Sequence, residues 1–216
     1  MAFVRKDFYH KQAKDKGYRS RAVYKLKELH KRFRLFKQNG RVLDLGAAPG
    51  GWVQVALEEV GKRGRIVGVD LLPIDPFPNK PNITLLLGDI LDEDVQEEAL
   101  SILGGKAHTV LSDMAPNISG IRLQDCARSF DLAMMALEVA RRCLHPGGAF
   151  VVKIFPGDDM ELYLKEMKLS FKKVKTTRPD ATRKSSSEVY VIGTGFKPSS
   201  KPKTTEDAED KSWSPI

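Results

Sequence analysis

Apolar residues follow two alternating patterns along most of this chain, one typical of buried strands and one typical of amphipathic helices. From Arg41 onward, short apolar runs are separated by longer stretches with helical periodicity. Several of the short runs are apolar throughout, as expected when a sheet is covered on both faces. Strands are predicted at 41–45, 65–70, 83–88, 109–113, 149–155, 171–176 and 188–194, and helices at 20–36, 51–60, 93–103, 123–143 and 160–170.

This alternation predicts an α/β fold with a Rossmann-like, doubly wound and mostly parallel sheet of seven strands. The last two strands follow each other without a helix between them, so we expect them to form an antiparallel hairpin at one edge. The first helix is expected to begin at Ser20, because serine favours the N-cap position, and to end near Phe36.

The two ends of the chain differ in composition from this alternating region. Residues 1–18 are basic and aromatic and include Gly17, so we expect a loosely ordered arm before a folded domain at 19–197. Residues 198–216 are rich in Ser, Pro, Thr, Lys and Glu. We expect a disordered tail there, because this composition offers too little apolar surface to bury.

The positive charge is concentrated near the start of the chain. The formal net charge is +8, and the first 41 residues hold 14 Lys and Arg against three acids. Phe8, Tyr9 and Tyr18 are interleaved with these cations, a pattern suited to the phosphates and unpaired bases of RNA. A second basic run at 172–184 leads to Glu188. Both segments are candidate RNA contacts, and the alternative for each is a solvated surface.

Other compositional features indicate the compartment and exclude some chemistry. Cys126 and Cys143 lie in one helical stretch and are expected to be reduced. The first residues contain no apolar run typical of a secretion signal, and no segment approaches the ~20 apolar residues that span a bilayer. We therefore expect a cytosolic protein. The four histidines show no spacing typical of metal ligands, so no metal is expected.

A glycine-rich turn at 43–52, L-D-L-G-A-A-P-G-G-W, joins a predicted strand to a predicted helix. Small residues let the backbone approach a ligand, and the start of the helix offers free N–H groups. Asp70 ends the next strand, where a carboxylate can accept hydrogen bonds from ribose hydroxyls. Asp89 follows the third strand, and it either contacts an adenine amine or only caps the loop.

The glycine spacing indicates which nucleotide-like ligand is favoured. A dinucleotide fingerprint, G-x-G-x-x-G, would place its second glycine at position 48, which is Ala48 here. S-adenosylmethionine has no phosphate and needs only a close-fitting turn, so it is the preferred ligand, with a plain tight turn as the alternative. Trp52 flanks this ligand or packs the helix on the sheet. The predicted cofactor contacts are Gly46, Ala47, Pro49, Gly50, Gly51, Trp52, Asp70, Asp89, Ile90 and Asp113.

Four separated ionisable residues stand in or beside apolar runs: Lys25, Asp113, Lys153 and Glu188. A charged group that is buried without a partner costs several kcal/mol or loses its charge. Any one of these residues, taken alone, is more simply an edge charge, a turn cap or an ion-pair partner. Together with the glycine-rich turn they indicate a catalytic site built on one sheet.

Between residues 5 and 196 the chain resembles the FtsJ/RrmJ-type ribose 2′-O-methyltransferases. The motifs that carry the resemblance are, in order, Y-R-S-R-A-V-Y-K-L, L-D-L-G-A-A-P-G-G-W, S-D-M-A-P-N, F-V-V-K-I-F and S-S-E-V-Y-V. The resemblance implies the fold of class I S-adenosylmethionine-dependent methyltransferases and a catalytic tetrad at Lys25, Asp113, Lys153 and Glu188. It also implies S-adenosyl-L-methionine as methyl donor, S-adenosyl-L-homocysteine as product, and a uridine ribose of large-subunit ribosomal RNA as acceptor during ribosome maturation.

The implied reaction moves a sulfonium methyl group to a ribose hydroxyl, a weak nucleophile that must be held in line and lose a proton. Lys153 is the candidate base. Burial and the charge of Lys25 favour its uncharged amine, whereas Asp113 and Glu188 favour the ammonium. The alternative is that Lys153 orients the hydroxyl and the proton leaves late. In either case Lys25 and Glu188 are expected to hold the geometry, with Asp113 between cofactor and base.

Other functions remain open at this point. One alternative keeps the methyl-transfer chemistry but has tRNA or another RNA as acceptor. An alternative from a different functional class is a non-catalytic RNA-binding factor of ribosome assembly. A nicotinamide-dependent dehydrogenase would share the sheet and Asp70, but its G-x-G-x-x-G fingerprint is missing. Nothing in the sequence selects the target nucleotide or distinguishes free rRNA from the large ribosomal subunit as substrate. We expect a monomer.

Overall fold

A seven-stranded sheet in the order β3-β2-β1-β4-β5-β7-β6 forms the centre of the molecule. The structure, a computed structural model, describes residues 3–183 and 185–198. The predicted tail therefore lies, except for residue 198, outside the described residues. The strands are β1 (Arg41–Leu45), β2 (Arg65–Asp70), β3 (Ile83–Leu87), β4 (Ala107–Ser112), β5 (Leu144–Ile154), β6 (Phe171–Thr177) and β7 (Val189–Phe196).

Helices cover both faces of this sheet. They are α1 (Phe3–Asp15), α2 (Val23–Phe33), α3 (Gly51–Val60), α4 (Glu93–Leu103), α5 (Arg122–Cys143) and α6 (Met160–Ser170). One core cluster joins α2 and α3 to one face, and a second joins α4, α5 and α6 to the other. Burial on both faces explains why the central strands consist mainly of apolar residues. The doubly wound fold predicted from the sequence is confirmed.

Strand pairing brings the ends of several strands to one edge of the sheet. Strands β1 to β5 are parallel, so their carboxyl ends meet there. Strand β7 runs antiparallel to β5, with Lys153 opposite Tyr190, so the start of β7 lies at the same edge. The predicted hairpin of β6 and β7 is antiparallel and forms the end of the sheet. We call this edge the carboxyl edge and the opposite one the amino edge.

The prediction that α2 begins at Ser20 is wrong. The helix begins at Val23 after Ala22, and no side chain caps it. Ser20 faces the glycine-rich turn instead, where a Cβ on Gly51 would lie 2.3 Å from its Oγ. The backbone N–H of Arg19 donates to Gln54 Oε1 (2.8 Å), which holds this segment against α3 before the helix starts.

The arm that was expected to be loosely ordered contains helix α1. The ring of Tyr9 packs against Tyr24 of α2 with centroids 5.3 Å apart, and Ala13 is buried. The arm is therefore joined to the domain by a few aromatic and small side chains. No amphipathic repeat marks the helix in the sequence, which explains why the pattern of apolar residues did not predict it.

Replacing Thr109 with valine is expected to lower the free energy of unfolding by about 1–3 kcal/mol. Thr109 is buried, and its Oγ1 donates to the carbonyl of Leu35 (2.7 Å), joining the segment before β1 to β4. Valine has nearly the same shape but leaves that carbonyl without this donor. Thr194→Val is the matched control, because Thr194 is half-buried and makes no side-chain hydrogen bond among the described residues. Equal denaturation midpoints for the two variants would contradict the assignment.

Candidate active site

The four ionisable residues predicted from the sequence meet at the carboxyl edge. Lys25 is carried by α2, Asp113 follows β4, Lys153 lies near the end of β5 and Glu188 immediately precedes β7. The pairing of Lys153 with Tyr190 fixes the position of Glu188, two residues before Tyr190, relative to β5. One strand, one helix and two loops that adjoin strands therefore each contribute one charged side chain.

A continuous line of polar contacts joins these side chains. Glu188 forms an ion pair with Lys25, and Lys25 Nζ donates to the hydroxyl of Tyr190 (3.3 Å). The Tyr190 hydroxyl in turn donates to Asp113 Oδ1 (2.7 Å). Lys153 Nζ lies 3.1 Å from the same oxygen and also donates to the backbone carbonyl of Asp113. A phenol that the sequence did not single out thus connects the two halves of the predicted tetrad.

Burial makes these contacts necessary. Lys25 is 9% exposed, and Lys153 and Glu188 are each 8% exposed. An unpaired charge at this depth would cost several kcal/mol, so any charge that these side chains carry requires a partner of opposite charge. Burial raises the pKa of Tyr190, and the carboxylates of Asp113 and Glu188 raise it further. The phenol therefore keeps its proton and remains a hydrogen-bond donor to Asp113.

A cavity of about 480 Å³ opens beside this line of contacts. It lies at the carboxyl edge between β1 and β4, whose following helices α3 and α5 cover opposite faces of the sheet. In doubly wound folds this switch point is the usual place for a ligand. Predicted cofactor residues and apolar side chains line it, among them Gly46, Asp70, Asp89, Ile90, Asp113, Leu71, Leu132 and Met135.

Asp70 and Asp89 line this cavity while also holding its loops in place. Asp70 accepts hydrogen bonds from the backbone N–H groups of Ala48 and Leu72, each at 2.8 Å. Asp89 accepts one from Leu91 (2.9 Å), so it does cap the following loop. Each carboxylate oxygen can accept more than one hydrogen bond. Contacts from Asp70 to a ribose and from Asp89 to an adenine therefore stay predictions.

A smaller cavity of about 140 Å³ lies on the other side of the glycine-rich turn and shares Gly46, Ala48 and Asp113 with the larger one. Its lining includes the predicted residues Ala47, Pro49, Gly51 and Trp52. Trp52 also donates from Nε1 to the carbonyl of Ala22 (3.1 Å), so it both lines a cavity and fixes α2 on α3. The two cavities meet at Asp113, next to Lys153.

Asp44, which sequence reasoning missed, lines the smaller cavity. It is 1% exposed, and its Oδ2 has no hydrogen-bond partner among the described residues. Burial, followed by the nearby carboxylates of Asp113 and Asp70, raises its pKa well above the usual value. A buried carboxylate without a donor requires an explanation, and a cationic ligand group in the cavity would supply one. Its place inside the apolar run V-L-D-L was the only indication in the sequence.

Gly50 lines neither cavity and lies instead against the side chain of Arg19. A Cβ on Gly50 would lie 2.7 Å from the Arg19 guanidinium, and the backbone φ of Gly50 is +101°. That guanidinium stacks on Phe77, 3.6 Å from the ring centroid, and donates to the carbonyls of Pro49, Asp75 and Pro76. Arg19 therefore ties the segment before α2 to the glycine-rich turn and to the loop after β2. The role of Gly50 in cofactor binding stays a prediction.

The two predicted RNA-contact segments lie close to Glu188. Arg21 donates to the carbonyl of Ala181 (2.9 Å), and the backbone N–H of Asp180 donates to Glu28 (2.7 Å). These bonds join α2 and the segment before it to the loop that leads into Glu188. The remaining cations of the second basic run include Lys172, Lys173 and Lys175, which are exposed on edge strand β6.

The described residues contain neither a candidate metal site nor a helix that could span a membrane. No three His, Cys, Asp or Glu side chains in this part of the chain are grouped so that they could hold a metal ion. No helix between residues 3 and 198, residue 184 aside, has the length and apolar character needed to cross a bilayer.

Comparisons with known proteins agree with this geometry. Residues 18–196 match the model of the FtsJ-like methyltransferase family. The chain is 46% identical over 200 residues to a ribosomal RNA large subunit methyltransferase E of Methanobrevibacter smithii, covering 93% of this chain and 95% of that one. A protein of the same name from Methanothrix thermoacetophila is 49% identical over 193 residues, covering 89% and 74%.

Solved structures show the same architecture. A Plasmodium falciparum protein assigned as a ribosomal RNA methyltransferase has a TM-score of 0.73 and 30% identity, over 83% of this chain and 98% of that one. Fibrillarin of Aeropyrum pernix, solved with bound S-adenosyl-L-methionine, has a TM-score of 0.58 at 19% identity, over 80% and 76%. The second likeness concerns the fold alone.

Replacing Asp44 with asparagine is expected to raise the free energy of unfolding of the ligand-free protein near pH 7. Because the folded-state pKa is raised, the native state binds the proton more tightly than the unfolded chain does, and the stability this gives is lost as the pH rises above the unfolded value of about 3.9. The amide avoids this loss. Denaturant titration at neutral pH and at about pH 3.5 measures the difference, which should disappear at the lower pH.

Asp125→Asn is the matched control and is expected to have the opposite sign. Hydrogen bonds from Ser119 and Gly120 hold the pKa of Asp125 below its usual value, so its carboxylate stabilises the fold at neutral pH and this stability is lost in acid. If Asp44→Asn destabilised the protein at neutral pH as Asp125→Asn does, the account of Asp44 as an uncompensated buried carboxylate would be wrong.

Proposed function

This chain belongs to the FtsJ-like methyltransferase family, and we propose that it transfers a methyl group from S-adenosyl-L-methionine to the 2′-hydroxyl of a ribose in large-subunit ribosomal RNA. The observation that carries the proposal is the line of contacts from Glu188 through Lys25, Tyr190 and Asp113 to Lys153. It ends where the two cavities meet.

The residues of the two cavities fit S-adenosyl-L-methionine. The larger cavity has apolar walls for an adenine and the carboxylate of Asp70 for ribose hydroxyls. In the smaller one, the unpartnered carboxylate of Asp44 suits the ammonium group of the methionine part. When bound, the cofactor would supply a methyl group on a positively charged sulfur, and Asp113 lines both of the cavities that would hold it. Position 48 is Ala48 and not the glycine that would let the backbone approach a pyrophosphate.

Lys153 either removes the proton of the ribose hydroxyl or orients that hydroxyl. Its Nζ donates a hydrogen bond to the backbone carbonyl of Asp113 and lies 3.1 Å from the carboxylate oxygen Oδ1. An uncharged amine that directed its two N–H bonds to these two oxygens would keep a lone pair to accept the hydroxyl proton. An ammonium group has a third N–H, which would orient the hydroxyl instead. Both roles proposed for Lys153 are compatible with this arrangement, and both need Asp113 in place.

Lys25, Tyr190 and Glu188 act as positioning residues. They set where Asp113 lies, because the Tyr190 hydroxyl holds its Oδ1 and is itself held by Lys25. The basic arm and the loop before Glu188 border the acceptor side and supply cations for phosphates. Named relatives act on large-subunit rRNA. From these we infer a ribose of large-subunit rRNA as acceptor. A uridine as the target, the large ribosomal subunit as substrate, a monomeric state and a cytoplasmic location stay predictions.

Transfer of a labelled methyl group to purified large ribosomal subunits, free rRNA and total tRNA tests the proposed function. Wild type is expected to label the ribose of the large-subunit RNA. Lys153→Ala is expected to reduce the rate by about 10²–10⁴-fold, the range for a general acid–base group. Lys165→Ala, which removes an exposed lysine on α6, is the control and should leave the rate unchanged.

Calorimetric binding of S-adenosyl-L-methionine establishes that the Lys153→Ala protein is folded. Label on tRNA alone would retain the chemistry and overturn the rRNA assignment. RNA binding without transfer to any acceptor would favour a non-catalytic role in ribosome assembly.

Asp44→Asn is expected to weaken the binding of S-adenosyl-L-methionine by about 10–100-fold. A hydrogen bond to a charged group contributes about 1.5–3 kcal/mol, and the amide loses the charge that the ammonium group would pair with. Isothermal calorimetry measures the change in Kd, with Asp125→Asn as control. Unchanged affinity in a variant that is more stable without ligand would show that Asp44 does not contact the cofactor.

A further inference from the structure

The amino edge of the sheet carries a concentration of positive charge that the catalytic site does not use. The segments entering β1, β2, β3, β4 and β5 at this edge are 34–41, 61–65, 78–83, 104–107 and 144–149. None of them contains an aspartate or a glutamate. Their cations include Lys37, Arg41, Lys62, Arg63, Arg65 and Lys106.

These cations face solvent and have no ion-pair partner among the described residues. All are exposed except Arg41, which is half-buried. The nearest acids of α3, Glu58 and Glu59, are occupied by Lys27 and His30. The charge of this edge is therefore not cancelled within the part of the chain that the structure describes.

Helix ends explain only part of the charge. Carbonyl groups at the carboxyl ends of helices favour nearby cations. Arg65 reaches the carbonyl of Ile102 at the end of α4 (3.5 Å), and Arg41 donates from Nε to the carbonyl of Lys106 (2.7 Å). The side chains of Lys62 and Lys106 make no hydrogen bond among the described residues. A purely structural role therefore leaves these two lysines unexplained.

The edge also has a shape that suits a ligand. A groove of about 400 Å³ runs between the starts of β2 and β3, and it is lined by Lys62, Arg63, Arg65 and Asn82. On β4, which β1 separates from β2 in the sheet, burial and then the charge of Arg41 lower the pKa of His108. The lowering by Arg41 is the effect that a positive electrostatic potential has on the pKa of a histidine.

We propose that the amino edge of the sheet is a second RNA-binding surface, which holds phosphate groups of an RNA segment other than the one that enters the active site. That the partner is RNA rests on the proposed function, in which an acceptor RNA is bound at the carboxyl edge. Clustered lysines and arginines without carboxylates suit the phosphodiester backbone, and none of these groups is arranged to distinguish bases.

The two surfaces lie on opposite sides of the domain. Strand β2 runs from Arg65 at the amino edge to Asp70 at the cofactor cavity, a length of about 16–20 Å for six residues. A stretch of nucleotides shorter than this distance does not contact both edges. A folded RNA can surround the domain and contact both, so this surface favours a large folded substrate over a short free strand.

Neutralising two of the unpartnered cations with Lys62→Gln/Lys106→Gln tests the proposal. Each lysine that contacts a phosphate contributes about one unit to the slope of log K against log salt concentration. The double variant is expected to lower the magnitude of that slope by about 2 for binding of large-subunit rRNA, measured between about 50 and 200 mM salt. Its rate of methyl transfer at saturating RNA should equal that of the wild type.

Lys165→Gln/Lys168→Gln is the matched control. Both lysines are exposed on α6, at the β6 end of the sheet, and their side chains make no hydrogen bond among the described residues. This variant should keep the wild-type slope. Equal slopes for the two double variants would overturn the proposal. Failure of the wild-type protein to methylate any RNA would overturn the proposed function instead, and the comparison of slopes would still decide whether the amino edge binds RNA.

Discussion

The burial of two lysine side chains that are both connected to one aspartate is the constraint on which the site depends. Lys25 and Lys153 are both nearly inaccessible; Lys25 is connected to Asp113 through Tyr190 and Lys153 directly. Removing one partner of a buried ion pair costs about 3–5 kcal/mol, because it leaves an uncompensated charge. The pairing of β5 with β7 and the position of α2 must therefore be kept, since a shift of either would separate the charges from their partners.

Charge is divided between the two edges of the sheet. Four aspartates, Asp44, Asp70, Asp89 and Asp113, lie around the cavities at the carboxyl edge, where a cationic cofactor would be bound. The segments at the amino edge have cations and no acids. The buried carboxylate of Asp44 illustrates the conflict between stability and binding, because the same burial that penalises it without ligand strengthens its attraction to a cation.

Much of this architecture follows from local patterns in the sequence. The bounds of α3, α4, α6, β1 and β2 agree with the prediction, because apolar runs and turn residues mark them directly. The four tetrad residues were marked by their charge in or beside apolar runs, and the resemblance of ordered motifs assigned them to one catalytic tetrad. Tyr190 and Asp44 were missed because each stands in an apolar strand run, where a phenol or a single carboxylate has no distinctive neighbours. The start of α2 was misplaced because Ser20 is held by a tertiary contact with Gly51.

Alkaline hydrolysis of large-subunit RNA, before and after incubation with the protein and S-adenosyl-L-methionine, tests the central claim most directly. Alkaline cleavage requires a free 2′-hydroxyl, so a methyl group on that oxygen protects a single linkage. The account predicts that one linkage becomes resistant and that the transferred methyl remains with the resistant dinucleotide. A transferred methyl recovered on a base, with every linkage still cleaved, would contradict it.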